Sequence, residues 1–307
     1  MKSLEIDRLE INSKPVYIFE NHSLAFKVWL NIKQTSGILP FVISLDHHTD
    51  TVKALSKSAF YEWNNTYNNY SPEDGHHDRY LNTHLYSLDL SNEEQVNSLL
   101  LKLAHDEHID AAIKMGIISH SISIQWQNFS GTSSIEQDEW HLKHWRNQIN
   151  NLSPLELGKL MRNPIPYPEP PFNYKLPENK MFIIGYPNCE CPKSPHDEIC
   201  DKHMYDNALE SSFLDRQLNI VENLQENINQ RGLQPFEFIL DIDLDYFHTV
   251  KSVSPKNREK FSWLVRNSLG ITIAKESACV DSLKCEGENI NSEYLLRELL
   301  KLIEKCL

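Results

Sequence analysis

The stretch "SLDHHTDT" at residues 44–51 packs two aspartates and two histidines into Asp46-His47-His48-Thr49-Asp50, directly behind the apolar run Pro40-Phe41-Val42-Ile43. A second acidic group, "DIDLD" at 241–245, follows another apolar run. Alternate residues of an extended chain share a face, so Asp46, His48 and Asp50 would point one way, and so would Asp241, Asp243 and Asp245. Ionisable groups at the end of a buried strand are costly to desolvate unless something offsets the cost. A divalent cation, an ion-pair network and exposure to water are the three ways out. Five carboxylates gathered without a cation repel one another until some take up protons. Hard divalent ions relieve that conflict, and a mixed carboxylate and imidazole set suits Mn²⁺. Two such ions sharing a water would make it a hydroxide nucleophile at neutral pH.

The elements that must position these groups follow from the apolar pattern. Short apolar runs at 16–19, 41–45, 117–124, 181–184, 236–240 and 269–274 read as strands. Helical patterns fall at 24–33, 52–63, 91–114, 137–148, 154–162, 206–230 and 292–305. Asn64 to Tyr80, rich in Asn, Tyr, Asp and His, reads as a loop. The proline-dense "NPIPYPEPPFNYKLPENK" forbids helix and favours an extended surface connection. Strands spaced by helices predict an α/β fold, a three-layer α/β/α arrangement around a mostly parallel sheet. The chain reads as one domain, 1–307, with an irregular insertion at about 125–205. Both acidic clusters then sit at the carboxyl ends of strands, where ligands bind in such sheets.

Composition narrows the function classes. The chain has 307 residues and a net charge of −13, which argues against a nucleic-acid partner and suits a cationic substrate. No apolar run reaches the roughly 18 residues of a membrane span. The opening "MKSLEIDRLEINSK" lacks a signal-peptide core, so the expected location is cytoplasmic and the cysteines are expected as thiols or metal ligands. Cys189, Cys191, Cys200 and His203 have a spacing that either makes a small structural Zn²⁺ site or leaves unpaired thiols in a loop. Oligomeric state stays open.

The motifs themselves resemble a known family. "DHHTD" resembles the Asp-x-His-x-Asp motif of the arginase and agmatinase (ureohydrolase) superfamily, and "DIDLDYF" its later Ser-x-Asp-x-Asp motif. His22 in "FENHS" stands where those enzymes carry a metal-binding His at an earlier strand end. The wording "SLDHHTDT", "HDEHIDAAIK" and "LDIDLDYF" is closer to a divergent branch that includes the peptide arginases of ribosomally made, post-translationally modified peptides. Those enzymes hydrolyse arginine side chains within a precursor peptide to ornithine and urea.

The resemblance implies an arginase/deacetylase-like fold and two Mn²⁺ ions. One ion would be held by His22, Asp46, Asp50 and Asp243, the other by Asp46, His48, Asp243 and Asp245, with Asp46 and Asp243 shared. Asp241 falls at the family's Ser position, as a supporting or substrate-side group; a ligand pair at 241 and 243 is the other register. His47 would face away. The family's cation-binding Glu after a late strand corresponds to Glu276 in "LGITIAKES", and its loop histidine, the proton shuttle, to His76 or His77. In "AHDEHID", expected within the 91–114 helix, His105 and His108 share a face, and Glu107 and His108 form a substrate-facing patch or a buried polar cluster. The short motifs that grip the α-carboxylate and α-amine of free arginine have no match, which favours an arginine-containing precursor peptide as partner and substrate. The alternatives are free arginine, agmatine or another small guanidine, and a family member that binds metal or peptide without turnover.

Overall fold

Runs such as Phe41-Val42-Ile43 and Phe238-Ile239-Leu240 are apolar on both sides, as strands covered on both faces must be. The computed structural model describes residues 3–126, 134–150, 152–162, 173–185, 198–229 and 237–307. Its strands are β1 (Asp7–Ile11), β2 (Lys14–Phe19), β3 (Phe41–Asp46), β4 (Ser121–Gln125), β5 (Met181–Ile184), β6 (Phe238–Asp243) and β7 (Ile271–Ala274). They form one sheet in the order β1-β2-β7-β6-β3-β4-β5, parallel throughout except for the antiparallel β1–β2 hairpin.

The helices are α1 (Ala25–Ser36), α2 (Ser56–Tyr67), α3 (His76–His84), α4 (Glu93–Lys102), α5 (His108–Lys114), α6 (Ser134–Ile149), α7 (Pro154–Arg162), α8 (Glu198–Asp206), α9 (Ser211–Asn229), α10 (Glu259–Asn267), α11 (Ser277–Leu283) and α12 (Ser292–Cys306). Alternate strand residues feed two cores. Ile43, Ile122, Phe182, Leu240 and Ile273 pack with apolar residues of α9, α10 and α12, whereas Val42, Ile239 and Ala274 pack with those of α1, α4 and α5. The expected α/β architecture, a mostly parallel sheet with helices on both faces, is what forms.

Several local expectations change. The helix expected over 91–114 is two helices, because the Glu107 carboxylate accepts the main-chain N–H of Ala104 at 2.9 Å and turns the chain between α4 and α5. The loop expected over 64–80 is partly helical: α2 runs on to Tyr67, and α3 begins at His76 after Gly75, whose φ of 75° suits glycine. The long helix expected from 206 begins at Ser211 as α9, and α8, which precedes it, was not foreseen. β1 was not foreseen; Asn12 and Ser13, at φ 46° and 67°, make the two-residue hairpin turn that pairs it with β2. α10 and α11 were likewise unforeseen. β6 extends through Asp243, so the second acidic motif begins inside the strand. No helix among the described residues is long and apolar enough to cross a membrane.

Candidate metal centre

Parallel pairing sets the geometry of the site. Ser44 of β3 is in register with Asp241 of β6, which brings the strand ends Asp46 and Asp243 to neighbouring positions. On the other side of β6, Asp243 is in register with Ala274 of β7, and Ala274 with Phe19 of β2. A methyl group is therefore all that the intervening strand places between His22, just beyond β2, and the carboxylates. His22 opens a short 3-10 turn in which Asn21 Oδ1 accepts from Ser23 N. Its own N–H donates to Glu276 Oε1 at 3.0 Å.

Each aspartate motif folds the chain back on itself. Asp46 Oδ1 accepts from His48 N at 2.7 Å, and Asp243 Oδ1 accepts from Asp245 N at 3.0 Å, two matching Asx turns. Asp245 Oδ1 accepts from His47 N at 3.2 Å and ties the two turns together. Asp50 holds φ at 47° and Glu276 at 36°, a left-handed strain that non-glycine residues keep where the surroundings demand it.

The side chains converge. His22 Nδ1 lies 3.1 Å from Asp50 Oδ2, 3.1 Å from Asp243 Oδ2 and 3.6 Å from Asp46 Oδ2. His48 Nδ1 lies 3.0 Å from Asp245 Oδ2 and 3.9 Å from Asp46 Oδ1. Two of these oxygens, Asp50 Oδ2 and Asp245 Oδ2, are buried and make no hydrogen bond despite the short distances, because the geometry is not that of a hydrogen bond. Neighbouring ligands of one small divalent ion at about 2.1 Å lie about 3 Å apart, so this is the spacing a coordination shell imposes. Three three-residue groups of the kind that hold an ion are present here among the described residues: His22 with Asp46 and Asp50, Asp46 with His48 and Asp245, and His22 with His108 and Asp241.

Asp241 fixes the register. It is fully buried, and its carboxylate accepts from Thr272 Oγ1 at 2.5 Å and Ser44 Oγ at 2.9 Å and pairs with His22 Nε2 at 2.8 Å. That bond assigns the Nε2 proton and turns Nδ1 toward Asp46, Asp50 and Asp243, the arrangement in which a carboxylate orients a ligating imidazole. Asp241 lies behind His22, bonded to its Nε2, while Asp243 faces His22 Nδ1 and Asp245 faces His48 Nδ1. Ser44 and Thr272, which complete this polar row across β3, β6 and β7, went unnoticed in the sequence; Ser44's place two residues before Asp46 is the signal that pointed to it.

The electrostatics are those of a cluster needing positive charge. Burial, then repulsion from Asp50, Asp245 and Asp243, pushes the Asp46 carboxyl well above its ordinary range. Burial and Asp245 do the same to Asp243. Burial would depress His22, but Asp241, Asp243 and Asp50 outweigh it and hold the imidazole well above its usual value. Asp245, whose Oδ2 lies 3.0 Å from Nδ1, raises His48. The four carboxylates of Asp46, Asp50, Asp243 and Asp245 carry the charge that two divalent cations neutralise. Donor types, spacing and the two orphaned oxygens all fit a binuclear centre.

Other expected residues fall around this cluster. His108 is fully buried, its ring tilted against that of His22 with centroids 4.3 Å apart, and Nδ1 donates to His105 O at 2.8 Å. Glu107 is also fully buried: it accepts from Ser56 Oγ, Lys57 N and Ala104 N at 2.9–3.0 Å and stitches the 104–107 turn to the start of α2. The buried polar cluster, not a substrate-facing patch, is what these two form. His105 is not on a helix face with His108; it sits in the turn, 39% exposed, with Nδ1 3.5 Å from Glu276 Oε2. His76 Nε2 bonds Ala59 O at 2.9 Å and His77 Nε2 bonds Ala54 O at 2.8 Å, so both histidines clamp α3 to the 54–59 segment and neither touches the carboxylates.

His47 turns away, as expected, and pairs through Nδ1 with His248 Nε2 at 2.9 Å; burial holds both imidazoles at about 4. His248, three residues past Asp245, had not been singled out. Of the cysteine set, Cys189 and Cys191 lie outside the described residues, Cys200 is buried and His203 is exposed on the same helix. Among the described residues no metal-holding group contains Cys200 or His203. Comparison with protein-family models, with curated proteins and with solved structures finds no match to this chain.

Proposed function

We propose that this chain is an arginase-type hydrolase with a binuclear Mn²⁺ centre, converting arginine side chains of a peptide to ornithine with release of urea. The observation that carries the reading is the set of buried, unpartnered carboxylate oxygens facing His22 and His48 at coordination spacing, within one residue contact of Glu276. His22, Asp46, Asp50 and Asp243 would hold the inner ion, and Asp46, His48, Asp243 and Asp245 the outer one. The chemistry such a pair supplies is activation of water toward an electrophilic carbon.

The chain's own groups supply the rest. Glu276 Oε1 is committed to His22 N–H, which aims the carboxylate, and Oε2, which accepts from the Cys279 thiol at 3.5 Å, would receive a cationic N–H donor as well. His105, half-exposed and beside that same oxygen, stands where a proton must reach a leaving amine. It replaces His76 and His77 in that role, since both of those rings are engaged with main-chain carbonyls. Ligand-type residues at the ends of β2, β3 and β6 of a mostly parallel sheet support an arginase-like reading, and peptide over free arginine rests on the motif comparison alone.

The test is incubation of the Mn²⁺-loaded protein with arginine-containing peptides encoded beside its gene, and separately with free arginine and agmatine. The reading expects urea and a loss of about 42 Da per arginine, the change for guanidine-to-amine conversion. Urea from free arginine only would replace the peptide by the small guanidine. No urea from any guanidine, with metal bound, would leave a binding protein.

A further inference from the structure

We propose that a cavity distinct from the carboxylate cluster binds a small oxyanion, a phosphate or a carboxylate. The cavity, about 340 Å³, collects lysines from three separate segments: Lys53 from the stretch after β3, Lys114 from the end of α5 and Lys180 from the turn before β5. None of the cluster's histidines or proposed ligand aspartates lines it. The three lysines are exposed to solvent, and with Asp110 and Glu178 the lining carries a net charge of 3 − 2 = +1, against the trend of a chain of net charge −13.

Two carboxylates share the cavity and offset two of its three positive charges, leaving one in excess. Asp110 has both oxygens in use, Oδ1 paired with Lys114 and Oδ2 accepting from Ala54 N at 2.7 Å. Glu178 makes no ion pair with Lys53 or Lys180, and neither of these lysines has another carboxylate partner among the described residues. Asn179 adds a donor: its Oδ1 accepts from Met181 N at 3.1 Å, which fixes the amide, and its buried Nδ2 has no partner.

Backbone strain points the same way. Lys180 holds φ at 58°, a left-handed conformation that glycine adopts freely and a lysine does not. The turn is pinned on both sides, Lys180 N donating to Pro177 O at 2.8 Å and Lys180 O accepting from Ser121 N at 3.0 Å. Glycine would hold this turn without strain, so Lys180→Gly separates the turn from the ammonium.

The experiment uses the full chain, stripped of cations by chelation and dialysed so that no ion at the strand ends can capture the anion. Inorganic phosphate and sodium acetate are titrated separately by calorimetry at fixed ionic strength, with the double variant Lys53→Gln/Lys180→Gln and the single variant Lys180→Gly alongside. The expected result is one saturable anion per chain with Kd below about 1 mM, weakened about tenfold or more in the double variant, as loss of charged hydrogen bonds requires. Phosphate binding without acetate assigns a phosphate; equal binding assigns a carboxylate, such as an acidic side chain; either upholds the site. Lys180→Gly should raise the thermal midpoint while weakening the anion. No saturable binding of either anion up to about 10 mM, well above the affinity of a specific site, would overturn the proposal. So would binding that the double variant leaves unchanged, or a Lys180→Gly midpoint that falls.

Discussion

Asp241→Asn probes the one residue that decides which nitrogen of His22 faces the cations. In the wild type, Asp241 pairs with His22 Nε2 at 2.8 Å while Nδ1 looks toward Asp50 and Asp243 at 3.1 Å each. Asparagine keeps the shape and loses the charge. With its oxygen toward His22 the tautomer survives, but the imidazole becomes a weaker donor to a metal. With its amide toward His22, Nε2 must accept and the proton moves to Nδ1, where a cation has to sit. Outer partners of ligating histidines are worth about 10- to 100-fold in metal affinity, or about 1.4 to 2.8 kcal/mol. Because His22 belongs only to the inner set, the loss should fall on one ion and spare the other. Calorimetric titration with Mn²⁺ reads both affinities, and the thermal midpoint of the metal-free protein checks folding. A folded Asp241→Asn protein that binds both ions as the wild type does would refute this account of the His22 tautomer and with it the 243/245 register.

Further outcomes follow from the same geometry. Chelated protein should lose stability as pH rises from about 5 to 8, because Asp46, Asp243 and His22 all have folded values raised above their unfolded ones, so the folded state binds more protons across that window. Added Mn²⁺ should reverse the slope, since it binds the deprotonated groups; thermal midpoints across pH with and without Mn²⁺ check both signs. Glu107→Gln should cost about 2 kcal/mol in denaturant unfolding, by turning an amide against the N–H of Ala104 in a fully buried charged network. Glu276→Gln should raise KM for a cationic substrate while Mn²⁺ stoichiometry stays at the wild-type value, and an unchanged KM would remove Glu276 from the substrate side. His105→Asn should lower kcat at least about tenfold, the scale of general acid–base catalysis, while His77→Asn alters stability more than kcat.

The sheet was legible in the sequence because apolar runs such as Phe41 to Leu45 admit few readings, and the spacing of the acidic residues marked the cluster. The period of two does not hold there: β3 ends at Asp46 and β6 at Asp243, and Asx turns carry the chain onward to His48 and Asp245. What stayed hidden depends on contacts between distant segments. The roles of Asp241, Ser44 and Thr272 emerge only from the register of β3, β6 and β7. The break between α4 and α5 comes from Glu107 bonding the main chain of two segments, while local propensity favours continuous helix. His76 and His77 carry the right chemistry in a stretch whose helix was masked by polar composition, and their rings are spent on holding α3 in place. His105, by contrast, reaches the mouth because that same helix breaks.

The central claim is that two cations bind between the ends of β2, β3 and β6. Equilibrium dialysis against Mn²⁺, with metal counted per chain, tests it most directly in the wild type and in Asp243→Ala, which removes a carboxylate shared by both ions. The account predicts two Mn²⁺ per wild-type chain and loss of both in the variant. A folded wild type that retains none, or a variant that still holds two, would contradict it.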